Sequence, residues 1–191
     1  MDVHMIVPHG IDDPSRPSGG NTYDRRVCDG LAALGWTVHV HAVRDAAAIA
    51  RVPDGAVVLI DGLLASPAPA ALVPHARRLR QVVLMHMPLG DDDERRVLEA
   101  ATAVVTTSHW TRHRLRELYG LPAERVHVAA PGVDPAGRAA GTAGGGALLC
   151  VAAVTPGKGH DVLVDALATV GDLPWRCTCV GSLDRDAAFA G

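Results

Sequence analysis

Apolar residues fall in short runs along the chain, and these runs alternate with stretches whose apolar positions recur three or four residues apart. Val3–Val7 is the first run, and its length and character predict a strand. A loop rich in Pro, Ser and Gly spans Pro8 to Gly20. Tyr23, Val27, Leu31 and Leu34 then recur at helical spacing, with Gly35 behind them as a left-handed stop. Further strands are predicted at Val38–Val43, Val57–Ile60, Val82–His86, Ala103–Thr106 and Val126–Ala129. Helices are predicted over Ala70–Leu79, over Asp91–Ala101, and from Ser108 to Tyr119 with Gly120 as terminator. Asp61-Gly62 reads as a turn, and Asp91-Asp92-Asp93-Glu94 as an acidic first turn matched to its helix dipole.

Strands alternate with helices from Met1 to about Pro131, and several strands are apolar throughout, as strands buried on both faces must be. The prediction is a doubly wound, Rossmann-like α/β domain over residues 1–134. Ligands of such sheets lie beyond the carboxyl ends of the strands, which directs attention to the segments after Val7, Ile60, His86 and Thr106. Residues 135–146, almost all Gly, Ala and Pro, read as a linker. The pattern restarts in residues 147–191, with strands at Ala147–Val151 and Trp175–Val180 around a helix marked by Leu163, Ala166, Leu167 and Val170. So short a stretch is the incomplete start of a second Rossmann-like domain. The chain therefore reads as a fragment of a longer protein or a natural truncation.

Composition narrows the classes. The 191 residues carry a net charge of -3 and only 3% aromatics, which argues against a basic nucleic-acid surface and against base stacking. No apolar run reaches the roughly 18 residues of a membrane span, and the start lacks the pattern of a signal peptide, so the cytoplasm is the expected compartment. Cys28, Cys150, Cys177 and Cys179 form no C-x-x-C pair and read as buried, reduced apolar residues, the last two sharing one face of a strand.

Four stretches, in order, resemble a known family. Pro17-Ser18-Gly19-Gly20-Asn21 leads into a helix ending Leu34-Gly35-Trp36-Thr37-Val38, and Thr107-Ser108 opens one ending Leu118-Tyr119-Gly120. Ala130-Pro131-Gly132-Val133-Asp134 follows, and then Lys158-Gly159-His160-Asp161 with Leu163 and Ala166-Leu167. Together they resemble family 4 glycosyltransferases of the GT-B fold. The resemblance implies retaining transfer of a sugar from a nucleotide-sugar, UDP- or GDP-linked, to a sugar, small-molecule or lipid-linked acceptor. It implies an acceptor bound mainly by the first domain, a nucleotide bound mainly by the second, and neither a metal nor another cofactor. Two departures stand out: Ala152-Ala153 replaces the family's Gly-Arg, and the family's Glu-x7-Glu segment is not within the chain.

Several residues become candidates on these grounds. Gly19, Gly20 and Asn21 open a helix whose backbone N–H groups suit a phosphate or sugar. The spacing is not G-x-G-x-x-G, which counts against an NAD-dependent oxidoreductase. His86, at the carboxyl end of a strand, resembles the family histidine that contacts the transferred sugar and is the candidate catalytic residue. Lys158, after Pro156-Gly157, is the candidate cation for the donor diphosphate. Asp134 fixes the junction. Arg112, His113, Arg114 and Arg116, with Arg77, Arg78 and Arg80, read as solvated faces, or as contacts to a membrane surface if the acceptor is lipid-linked. A GT-B nucleotide-sugar epimerase is the alternative enzyme, but it needs carboxylates for proton abstraction or elimination in the cleft, and the sequence places none convincingly in the loops named above. A sugar- or nucleotide-binding module is the non-catalytic alternative.

Overall fold

A computed structural model of the chain describes residues 1–14 and 17–191. They divide into two compact units, Met1–Val133 and Asp134–Gly191.

The first unit is built on six parallel strands: β1 (Asp2–Pro8), β2 (Thr37–Val43), β3 (Val57–Asp61), β4 (Arg80–Met85), β5 (Ala103–Thr106) and β6 (Val126–Val128). Their spatial order is β2-β1-β3-β4-β5-β6, so the winding reverses between β1 and β3. Alternate residues of the central strands are buried on opposite faces. Ile6, Ile60, Val83 and Met85 join one apolar cluster, and Met5, Val7 and Leu84 the other. An apolar run buried on both faces is what an all-parallel sheet requires, and the doubly wound α/β fold read from the sequence is the observed one.

Helices cover both faces. Helix α1 (Gly19–Ala33) sets Tyr23 and Val27 against the smaller cluster. Helices α4 (Asp92–Ala100) and α5 (His109–Tyr119) send Val97, Leu98 and Leu115 into the larger one. The capping residues behave as their chemistry dictates. Ser108 Oγ accepts from Thr111 N–H at 3.0 Å, and Gly120 closes α5 at φ 64°, a left-handed conformation a side chain would resist.

The predicted helix over Ala70–Leu79 is wrong. A single turn, α3 (Pro69–Leu72), gives way to a 3₁₀ turn at Val73–His75. Pro74 has no N–H to donate and restricts the residue before it, so an α-helix cannot run through. Asp61-Gly62 is likewise more than a turn, because Asp61 caps a short helix, α2 (Gly62–Ala65). A Cβ on Gly62 would stand 3.0 Å from the Leu84 carbonyl, so the close approach of this helix to β4 needs glycine.

The second unit contains β7 (Ala147–Val151), α6 (His160–Ala168), β8 (Arg176–Val180) and a terminal turn, α7 (Ala187–Ala190). Its two strands pair in parallel, and Trp175 Nε1 donates to the Val170 carbonyl at 2.8 Å to hold the return from α6. Leu149, Val151, Val162 and Val180 of this unit are exposed.

Candidate functional site

Three carboxyl-edge segments of the first unit converge at the point where its strand order reverses. Asp61 is the last residue of β3, and His86 follows the last residue of β4. Asp24 comes from α1, one turn after Gly20, because residues four apart stand above one another on a helix. Asp24 and Asp61 are fully buried, and the His86 side chain keeps 20% of its exposure. His86 Nε2 lies 3.2 Å from Asp24 Oδ1 and 3.5 Å from Asp61 Oδ2. Asp61 Oδ1 accepts the Leu63 N–H at 2.6 Å, which fixes that carboxylate. Asp24 Oδ2 is buried without a hydrogen-bond partner, and the ion-pair contact with His86 is what Asp61 Oδ2 has.

The walls of this cluster explain the small residue at its edge. A Cβ on Gly20 would meet His86 Cδ2 at 3.3 Å and Nε2 at 3.4 Å. The Tyr23 ring stands edge-on to His86, with centroids 5.3 Å apart, and its hydroxyl donates to the Ala129 carbonyl at 2.8 Å.

Electrostatics follow from burial and charge. Burial alone would lower the pKa of His86, but its hydrogen bonds to Asp24 and Asp61 and their charges outweigh this and push it up to about 9. Burial raises Asp24 to about 6, with neighbouring Asp61 adding to the rise. Burial acts on Asp61 too, but the neighbouring His86 and the Leu63 N–H hold it below the usual carboxylate range. Both shifts at His86 and Asp61 favour a protonated imidazole paired with an ionised Asp61, with Asp24 the carboxyl group pushed towards its neutral form. One atom each of Asp24, Asp61 and His86 lies within 4.8 Å of the others, a spacing that a divalent cation could also use. A protonated His86 occupies that role itself, since imidazolium carries no free lone pair.

Among the sequence candidates, Gly20 and His86 are brought into contact. Gly19 has open space around its Cα, and the Asn21 N–H is directed at Ser18 Oγ at 3.5 Å, as part of the helix cap. Lys158 belongs to the second unit, exposed at the end of a 3₁₀ turn, Pro156–Lys158, ahead of Gly159 at φ 67°. Asp24 and Asp61 are not among the candidates that the sequence points to, because Asp24 lies inside a helical pattern and Asp61-Gly62 carries a turn signature. The available signal was the i, i+4 step from Gly20 to Asp24 and an aspartate ending an apolar strand.

Other expectations need correction. Arg112 and Arg78 are not merely solvated. Arg112 Nε donates to the Val126 carbonyl at 2.8 Å, and Arg78 spans the Val52 and Ile49 carbonyls and Asp54. Glu94 is more than a first-turn charge. It is buried and accepts from Leu89 N–H, Gly90 N–H, Ser66 Oγ and Tyr119 Oη, while its own N–H donates to the N-cap Asp91. The cysteines are not buried: Cys28, Cys150 and Cys177 are half-buried and Cys179 is exposed. No helix among the described residues is long and apolar enough to cross a membrane.

Comparison with known proteins adds to this geometry. Residues 84–136 match the model of Glycosyltransferase Family 4. The chain is 39% identical over 90 residues to a D-inositol 3-phosphate glycosyltransferase of Jonesia denitrificans, a stretch covering 39% of this chain and 21% of that protein. A glycosyltransferase structure from Rickettsia africae ESF-5 superposes with a TM-score of 0.64 at 16% identity, covering 98% of this chain and 62% of that one. The chain thus spans less than two thirds of the length of either protein, and the structural likeness speaks for the fold.

Proposed function

We propose that this chain, similar to family 4 glycosyltransferases, serves in the complete protein to move a sugar from a UDP- or GDP-sugar to an acceptor with retention of configuration. The observation that carries this reading is the Asp24–His86–Asp61 cluster at the carboxyl edge of the first sheet. Asp24 Oδ2, a buried carboxylate oxygen without a partner, is an acceptor suited to a sugar hydroxyl, since an unmet buried oxygen gains most from a donated hydrogen bond. An imidazolium held between two carboxyl groups is a poor base at neutral pH. It acts as a fixed cation and hydrogen-bond donor, the kind of group that stabilises charge developing as a sugar–phosphate bond breaks. Nε2 is committed to the aspartates, which leaves Nδ1 as the ring nitrogen to meet substrate. The name of the Jonesia relative puts a phosphorylated inositol first among acceptors to assay.

His86→Ala in the complete protein tests the reading. A contact made mainly in the transition state lowers kcat and kcat/KM together, here by on the order of 10²-fold, with a smaller rise in donor KM. An unchanged kcat would remove His86 from the reaction. Lys158 is proposed as the cation facing the donor diphosphate. Lys158→Ala then weakens UDP or GDP binding by about 10- to 150-fold, the equivalent of roughly 1.5–3 kcal/mol for a charge-assisted contact.

The two aspartates also favour a second reading. A nucleotide-sugar epimerase needs carboxylates beside the sugar, and Asp24 and Asp61 supply them. Incubation with donor and acceptor separates the readings: free nucleotide with a glycosylated acceptor marks the transferase, and an epimerised nucleotide-sugar marks the epimerase.

A further inference from the structure

The second unit gathers a different set of groups. Cys150 on β7 and Cys179 on β8 are register partners in the parallel pair, so their side chains emerge on the same face. His160, the first residue of α6, is 8% exposed and sets Nε2 at 3.8 Å from Cys150 Sγ. One ligand atom from each of the three lies within 4.8 Å of the others. The buried imidazole has little else to bind. A thiol is a weak partner for Nε2, and Nδ1 has none.

We infer that Cys150, Cys179 and His160 bind a zinc-class divalent cation that ties the two strands of the second unit to the start of its helix. Zinc bonds of about 2.3 Å to sulfur and about 2.0 Å to nitrogen put two such ligands roughly 3.5–3.8 Å apart on a tetrahedral ion. The 3.8 Å between Cys150 Sγ and His160 Nε2 matches this spacing, and the remaining pairs lie within 4.8 Å. Two thiolates and an imidazole suit zinc or cobalt and not magnesium or calcium, which take oxygen. Binding displaces the two thiol protons to solvent, and three protein ligands leave the fourth position for water. Cys177, two residues before Cys179 on the same face of β8, lies outside the triad. The ion has a structural task, distinct from the metal-free transfer that the family resemblance implies, and the inference does not depend on that transfer.

Cobalt(II) titration of the reduced 191-residue chain tests it. The expected result is a thiolate-to-cobalt charge-transfer band that saturates at one equivalent with a Kd under about 1 µM, together with visible bands of tetrahedral intensity that zinc bleaches. Cys150→Ser and Cys179→Ser each weaken binding by at least about 10-fold, the usual scale for losing a group at a metal site. His160→Gln does the same, and because His160 is buried, circular dichroism of that variant is read alongside. Cys179 is exposed, so its variant keeps the test valid should His160→Gln fail to fold. Cys177→Ser and Cys28→Ser retain the band. Absence of a charge-transfer band, retention of full affinity in Cys150→Ser and Cys179→Ser, or a Cys150–Cys179 disulfide whose reduced form takes up no metal would each overturn the inference.

Discussion

The two units each assemble three titratable side chains, and they differ in what surrounds them. Asp24, Asp61 and His86 stand at the edge of a six-stranded sheet covered on both faces, with the two carboxylates fully buried. Cys150 and Cys179 stand on a two-stranded pair that leaves Leu149, Val151 and Val180 exposed, His160 opens the helix beside them, and one of the two thiols is exposed too. In the first unit the low dielectric makes the charge of each group depend on the other two, because an isolated buried charge is costly and a paired one is not. In the second, the imidazole is buried while its sulfur neighbours remain reachable from solvent. Burial thus yields a preformed ionic cluster in one unit, and partial exposure yields a set of open ligands in the other.

The stability contrast is the largest expected effect. Ile60→Ala removes a fully buried side chain from the first core and costs about 2–5 kcal/mol. Val180→Ala, at 51% exposure, costs less than about 0.5 kcal/mol. Urea unfolding followed by circular dichroism measures both, and equal losses would break the contrast.

Next is the charge of His86. Its folded pKa of about 9 exceeds the ordinary 6.5, so the protonation of His86 contributes stability that is fully present below pH 6.5 and lost as pH rises through about 9. Asp61→Asn removes one carboxylate and lowers the midpoint by at least about one unit, read from the imidazole resonances by NMR. A midpoint unmoved by Asp61→Asn would show that the two groups are not electrostatically linked.

The glycine pair sharpens the picture within the first unit. Gly20→Ala presses a Cβ to 3.3 Å from the His86 ring and costs about 1 kcal/mol. Gly19→Ala meets nothing within 4 Å and stabilises by about 0.4–1 kcal/mol through the unfolded chain. Thermal unfolding of the two variants should move in opposite directions.

The smallest effect belongs to the edge of the same sheet. His4 Nδ1 lies 2.9 Å from His41 Nε2, and His4 also stacks on His39. Burial and the neighbouring histidines lower the pKa of His4, and burial and His39 lower that of His41. Folding therefore loses stability as pH falls below the unfolded value of 6.5. His41→Gln should flatten the slope of melting temperature between pH 7 and about pH 5, the range in which histidine titrates.

Much of this was legible in the residues themselves. Short apolar runs located every strand of the first sheet, most plainly β3 and β4, since strands buried on both faces are apolar at nearly every position. Ser108 and Gly120 marked the ends of α5 for local reasons of hydrogen bonding and backbone sterics. The break at Pro74 was equally local and was overlooked within an alanine-rich stretch that otherwise favours helix. His86 and Gly20 were picked out by position and family resemblance, but nothing in the order of residues shows that they touch.

What the sequence determined by itself, then, is the alternation of strand and helix, the parallel sheet, and the carboxyl-edge segments where a site belongs, because all of these depend on short-range periodicity. Only the tertiary structure decided which polar groups meet. Asp24 and His86 are 62 residues apart, and Cys150 and Cys179 share a face through strand register. The charge of an aspartate in a helix, or of a histidine after a strand, depends on neighbours brought within about 4 Å and on the water they exclude. Those are properties of the folded arrangement and of no single segment.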